Sequence, residues 1–184
     1  MIIFNKNKGF SLIEMILYIA IVSIFISGAV LYGWQAVYGR IKSQVQLDVN
    51  YNLNLITTRI NYELRNALDI YSVTQTNLYS PPGTDLCLQV SDSSHNPTRL
   101  YLSSGEFRVA WGGGSNDCTG MTNDEALSNS SVTITNLVFT DLSSSLGESK
   151  NVSYTITVDS VNPSARQEWN KTQTYGSGVE LRSN

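Results

Sequence analysis

The chain has 184 residues, 41% of them apolar, with 12 basic and 15 acidic side chains and a formal net charge of −3. This excludes a disordered chain and a generally basic nucleic-acid binder, and the length sets a prior of one compact domain with an appendage. The charge is uneven: Lys6, Lys8, Arg40 and Lys42 flank one apolar stretch, while residue 43 onward holds 8 basic and 14 acidic residues, a head that offers no bulk field to DNA or acidic lipid.

Residues 1–9 carry Lys6 and Lys8, and residues 10–36 carry one charge, Glu14, in an otherwise mostly apolar run. At about 1.5 Å per residue that run is long enough to cross a bilayer core as a helix. One reading is a cleaved secretory signal, with Ser27-Gly28-Ala29 as the small-residue cut site. Another is an ordinary membrane anchor. Neither accounts for Glu14, since an ionised carboxylate near the start of a membrane helix is costly without a partner and marks function.

Lys8-Gly9-Phe10-Ser11-Leu12-Ile13-Glu14 resembles the processing site of type IV prepilins and type II secretion pseudopilins. The likeness comprises a short basic leader, Gly before the cut, Phe after it, Glu at the fifth mature position and the apolar run that follows. It implies a leader over residues 1–9, cleavage between Gly9 and Phe10 by a membrane-embedded prepilin peptidase, and methylation of the new Phe10 amine. It also implies assembly with other pilin or pseudopilin subunits through an inner-membrane assembly platform. Where many pilins carry a helix-breaking proline, this chain has Leu31, with Gly28 and Gly33 nearby. Those glycines either permit local melting or allow close helix contact.

The chemistry of these positions can be stated from the residues. Gly9 has no side chain, so a protease can approach the scissile bond closely. Lys6 and Lys8 favour a cytoplasmic leader, although Arg40 and Lys42 put equal charge on the other side of the run. Cleavage creates a cation at Phe10. In a staggered helix bundle Glu14 could meet that amine on a neighbour, each charge offsetting the desolvation of the other. The alternative is a Glu14 that points to the headgroup layer.

Ile41, Val45, Val49, Leu53, Ile56, Ile60, Leu64 and Leu68 recur at spacings of four and three, a helical stripe among polar neighbours. With no proline across residues 10–68, the prediction is one helix of roughly 90 Å, membrane-spanning over 10–36 and amphipathic beyond. Residues 69–79 read as a strand ended by Pro81-Pro82-Gly83, and residues 86–90 as a second. Residues 100–111 read as a hairpin with Gly105 in its turn, and residues 112–127 as a polar loop. Val132, Ile134, Leu137 and Phe139 alternate with one slip, as a bulged strand would. Val152, Tyr154, Ile156 and Val158 alternate strictly, and a last strand spans 172–181. The expected fold class is α+β: a long N-terminal helix packed on a small antiparallel β-sheet head over residues 69–184, a layout that the pilin class shares.

Cys87 and Cys118 either form a disulfide in an exported head or remain two free thiols. His95, the sole histidine, sits in a Ser/Asn/Pro turn and reads as a solvated loop residue rather than a base. Gly112-Gly113-Gly114 lacks the Lys and Ser/Thr of a phosphate loop. Asp117, Asn123, Asp124 and Glu125 offer oxygen ligands, as some pseudopilins use for calcium, but their spacing fits no EF-hand, so no metal or cofactor is expected. The function expected from the resemblance is a structural, non-enzymatic and minor subunit of a type IV pilus, competence pilus or type II secretion pseudopilus. Such a subunit would be held in the cytoplasmic membrane with its leader inside and head outside, then packed into a filament. The alternative is a surface-displayed binding module that uses the leader only for export.

Overall fold

The computed structural model describes residues 9, 11–71, 84–113, 116, 118–144 and 149–181. One helix, α1, runs over Leu12–Asn66. It is followed by β1 (Ala67–Ile70), β2 (Asp85–Val90), β3 (Thr98–Ser103), β4 (Glu106–Trp111), β5 (Asn123–Ala126), β6 (Val132–Asp141), β7 (Asn151–Ser160), a 3-10 turn at Gln167–Trp169 and β8 (Thr172–Glu180). The chain divides into two units, Met1–Lys42 and Ser43–Asn184. The fold is α+β, one long helix with a β head, as the sequence implies. The head holds two antiparallel sheets rather than one, ordered β1-β2-β3-β4-β5 and β6-β7-β8.

The amphipathic half of α1 supplies one wall of the core. Val45, Val49, Leu53, Ile56, Ile60 and Leu64 are buried, and those from Val49 onward pack with Leu86, Leu88, Leu100 and Phe107 of one sheet and Leu137, Phe139, Tyr154 and Ile156 of the other. Two polar contacts fix the helix on this apolar surface. The Asn52 Oδ1 accepts the Asn129 N–H at 3.1 Å, and Asn61 Oδ1 accepts the Tyr154 hydroxyl at 3.0 Å. Burial pushes the Tyr154 phenol up to about 12, so it stays a neutral donor.

Helix α1 ends at Asn66, short of the expected 68. Ala67 already pairs with Val90, and Asp69 pairs with Gln89, so Leu68 is the extra residue of a bulge. Leu68 continues the helical spacing of the stripe, but the ladder offered by β2 captures the backbone first. The further strand expected to residue 79 and the Pro81-Pro82-Gly83 turn lie outside the described residues.

Turn chemistry explains the hairpin. Ser104 and Gly105 both have positive φ, 53° and 81°, which is the two-residue turn that matches strand twist. Gly105 is also a joint between the sheets: its carbonyl accepts the Ile134 N–H at 2.8 Å, and an added Cβ would lie 2.8 Å from Thr133 Cγ2. The slip in β6 is a bulge between Ile134 and Asn136 against β7, which returns Leu137 and Phe139 to the core face.

The expected polar loop over 112–127 needs correction at its end, since Asn123–Ala126 is strand β5, paired with β4. All four of its residues are exposed, so no apolar alternation could announce it. Backbone pairing and the Asp124 carboxylate hold it. That carboxylate takes the Tyr101 hydroxyl at 2.8 Å and Arg108 Nε at 3.1 Å. Desolvation pulls Asp124 upward, but these two donors keep it below the usual carboxylate range.

Cys87 and Cys118 form a disulfide with Cα atoms 6.0 Å apart and a sequence separation of 31. Both residues are buried, and the bridge fastens the segment after β4 to β2. Replacing both by serine should lower unfolding free energy by roughly 3–4 kcal/mol, the chain-entropy cost of a loop this long. Urea titration of the full chain in detergent measures this, and an unchanged midpoint would exclude it.

Glu63 is a buried carboxylate on α1, 6% exposed, with Arg59 Nη2 at 2.7 Å. Burial raises its carboxyl above the ordinary 4.5, against the downward pull of Arg59 and His95. The folded state therefore holds this proton longer than the unfolded chain. The stability it contributes is fully present below the unfolded value and is lost as pH rises through the raised one. Relative to Glu63→Gln, the native chain should lose unfolding free energy as pH rises from the ordinary 4.5 through the raised value. Parallel pH profiles for the two proteins would contradict this.

Candidate functional site

Unit Met1–Lys42 contains the residues that the sequence singles out for processing and assembly. Phe10 and the leader residues 1–8 lie outside the described residues. Gly9 is exposed, and a Cβ added there would meet nothing within 4 Å. Packing among the described residues thus does not demand its lack of a side chain.

Ser11 starts the helix. Its carbonyl accepts the Glu14 N–H at 3.1 Å and the Met15 N–H at 3.2 Å, and its hydroxyl accepts the same Glu14 N–H at 3.3 Å. Ser11 is therefore the N-cap, and Glu14 stands at the third helical position, where a carboxylate is favoured by the unsatisfied amides of the first turn. The motif includes Ser11, but its capping role is an addition from the structure. The Ser-x-x-Glu spacing of a capping box was the signal that could have found it. Glu14 is exposed in the first turn, so its carboxylate is available to a group outside the chain.

Beyond Glu14 the surface is apolar on every side. Leu12, Ile13, Ile16, Ile24, Phe25 and Leu31 are all more than half exposed. The most apolar 18-residue window of α1 has a mean hydropathy of 2.3 and no residue buried within the protein. Two of its serine hydroxyls are satisfied inside the helix: Ser23 donates to the Ile19 carbonyl at 2.7 Å and Ser27 to the Ser23 carbonyl at 2.8 Å. Hydrocarbon therefore meets no unpaired serine. Trp34 and Tyr38 stack at 6.0 Å, just before Arg40 and Lys42. Aromatic rings followed by cations are the usual furnishing of a membrane–water boundary.

Residues 4–30 match the family described as the prokaryotic N-terminal methylation motif. The chain carries the signature of type IV pilins and pseudopilins. The signature covers Gly9, Phe10, Ser11 and Glu14 and stops before the head. It implies a prepilin peptidase and other pilins as partners, points to a structural subunit, and is consistent with membrane anchoring of the apolar helix. No curated protein and no solved structure matches the chain.

Among the described residues, the remaining candidates are not brought together as a metal centre. His95 Nδ1 is held by Asp92 Oδ2 at 2.8 Å in an exposed turn. Asp124 is taken by Arg108 and Tyr101, and Asp117 lies outside the described residues. Among the described residues, no group of three or more His, Cys, Asp or Glu is placed to hold a metal.

Within the pilin signature, α1 runs unbroken through Gly28, and beyond the signature through Gly33; a Cβ at either would meet nothing within 4 Å. Gly28→Ala and Gly33→Ala should each strengthen the helix by about 1 kcal/mol. Circular dichroism of the full chain in detergent should show helicity equal to or above that of the native protein, and a fall would mean that the glycines serve the isolated chain.

Proposed function

We propose that the protein is a structural, minor subunit of a type IV pilus, a competence pilus or a type II secretion pseudopilus. A prepilin peptidase cuts between Gly9 and Phe10, and the Phe10 amine is then methylated. The precursor spans the cytoplasmic membrane once, with residues 1–9 inside and the β head outside. An inner-membrane assembly platform then moves it into the filament, where residues 10–36 exchange lipid for the helices of other subunits.

The observation that supports this reading is a helix segment of mean hydropathy 2.3, exposed throughout, that begins inside the matched motif. A small head cannot cover such a surface, whereas lipid and then a bundle of like helices can. The minor role is supported by the segment Tyr62-Glu63-Leu64-Arg65-Asn66-Ala67 leading directly into strands, which is similar to the larger minor pilins. No catalytic step is assigned to the chain.

Mass spectrometry of the mature protein should find N-methyl-Phe10 at the N-terminus. A start near Ala29 or Val30 would instead identify an ordinary secretory signal and overturn the proposal.

Glu14 is proposed as the assembly contact, pairing with the Phe10 amine of a neighbouring subunit. Glu14→Ala should leave cleavage and membrane residence intact, because removing a carboxylate lowers the cost of lying in lipid. Recovery in sheared filaments should fall by roughly tenfold or more, since the neighbour's amine is then buried without a counter-charge. Glu14→Gln should be intermediate or similarly poor, because it keeps an acceptor but no charge. Normal recovery of Glu14→Ala would return Glu14 to the headgroup layer.

A further inference from the structure

The head contains a cleft of about 390 Å³ at the end of α1, lined by Arg59, Tyr62, Glu63 and Asn66 on the helix and by Val90, Ser91, Asp92 and His95 on β2 and the turn after it. Its volume falls within the range of small-molecule sites, roughly 300–1,000 Å³. Neither the filament role nor the matched motif uses it. The motif ends at residue 30, and the cleft lies wholly within the unit Ser43–Asn184.

The lining is unusual for a gap left by imperfect packing. All of its lining side chains but Val90 carry a polar group, and one of them, Glu63, is a carboxylate taken out of water. Holding a carboxylate at a buried position is costly without a partner, and Glu63 has Arg59, itself only partly buried, as that partner. A desolvated carboxylate with a specific charge partner on the wall of a cleft is the kind of arrangement that marks a binding site.

The ligand's chemistry follows from which groups are already spent. Arg59 and Glu63 neutralise each other at 2.7 Å. Asp92 is taken by the Ser94 hydroxyl at 2.7 Å and the Ser94 amide at 2.9 Å, as well as by His95 at 2.8 Å. The two Ser94 donors, with His95, hold its carboxyl at about 2. Each charged group of the lining thus already has a partner within the protein. What remains is directional hydrogen bonding. Among the described residues, the Asn66 amide and the Ser91 hydroxyl engage no partner, and Arg59 Nε is a buried donor without one. Glu63 Oε1 is met by Arg59 Nη2 at 2.7 Å. At the rim, the Tyr62 ring is 60% exposed and offers a flat apolar face beside these groups.

A neutral ligand that is apolar on one face and dense in hydroxyls elsewhere matches this set, and a sugar ring has that chemistry. The geometry points to a saccharide-binding cleft between Tyr62 and Ser91, in which Asn66, Ser91 and the unpartnered Arg59 Nε hydrogen-bond ring hydroxyls while Tyr62 covers the C–H face. A charged amino acid would have to displace the Arg59–Glu63 pair and is the competing occupant. The inference is independent of filament assembly, because it concerns the head alone.

The test is saturation-transfer difference NMR on the full chain in dodecylphosphocholine micelles, whose headgroups contain no sugar. Glucose, galactose, mannose and N-acetylglucosamine are titrated one at a time, with glycine and lysine as charged probes. At least one sugar should bind saturably in the millimolar range, and Asn66→Ala and Ser91→Ala should each weaken it by roughly fivefold or more, as the loss of one hydrogen bond does. Both variants should unfold at the native temperature, because neither side chain holds a partner within the protein. Three outcomes would overturn the inference: no saturable sugar binding, binding of the charged probes in place of sugars, or sugar binding that survives in both variants.

Discussion

A helix that is apolar all round has two stable surroundings, hydrocarbon or other apolar helices, and water is neither. The first half of α1 sets this constraint for the whole protein. Its exposed Leu, Ile, Val and Phe side chains have no cover among the described residues of their own unit. The methylation motif occupies the start of this same segment, and the hydrogen bonds of Ser23 and Ser27 keep these two hydroxyls inside the helix. Placing Glu14 in the capped first turn gives the segment its one carboxylate at the end where helix amides already favour negative charge.

The second half of the same helix obeys the opposite rule. Its apolar residues form one stripe, and that stripe is buried against both sheets of the head. The change from all-round to one-sided apolarity falls near Arg40 and Lys42, close to the boundary between the two units. The residues that stabilise the head are therefore not those of the all-round apolar segment. Asn52 and Asn61 add direction to the apolar contact, since each accepts one hydrogen bond that only a particular seating of the helix provides.

The head resists loosening by ties between segments distant in sequence. The disulfide joins β2 to the segment after β4. The Gly105 carbonyl joins the hairpin of one sheet to β6 of the other. Asp124 fastens an otherwise featureless edge strand through Arg108 and Tyr101. Charged side chains on that edge also discourage unplanned strand pairing, a useful property in a molecule that is expected to be concentrated among its own kind.

Several features were legible in the residues alone because they are periodicities or local turn chemistry. The apolar run, the stripe from Val45 to Leu64, the strict alternation in β7, the bulge in β6 and the positive φ of Gly105 each depend on neighbours a few positions away. The same holds for the N-terminal motif, whose meaning lies in fixed spacing from Gly9 to Glu14. Other features were decided by which distant segments meet. The division into two sheets, strand β5 with its wholly exposed sequence, and the early end of α1 at Asn66 each required a partner strand before the backbone could commit. Cys87 and Cys118 could be paired only once β2 and the segment after β4 were adjacent. Glu63 belongs here as well. In sequence it is one more polar residue between Tyr62 and Leu64, and only the turn of β2 folded over α1 removes it from water and makes it the wall of a cleft.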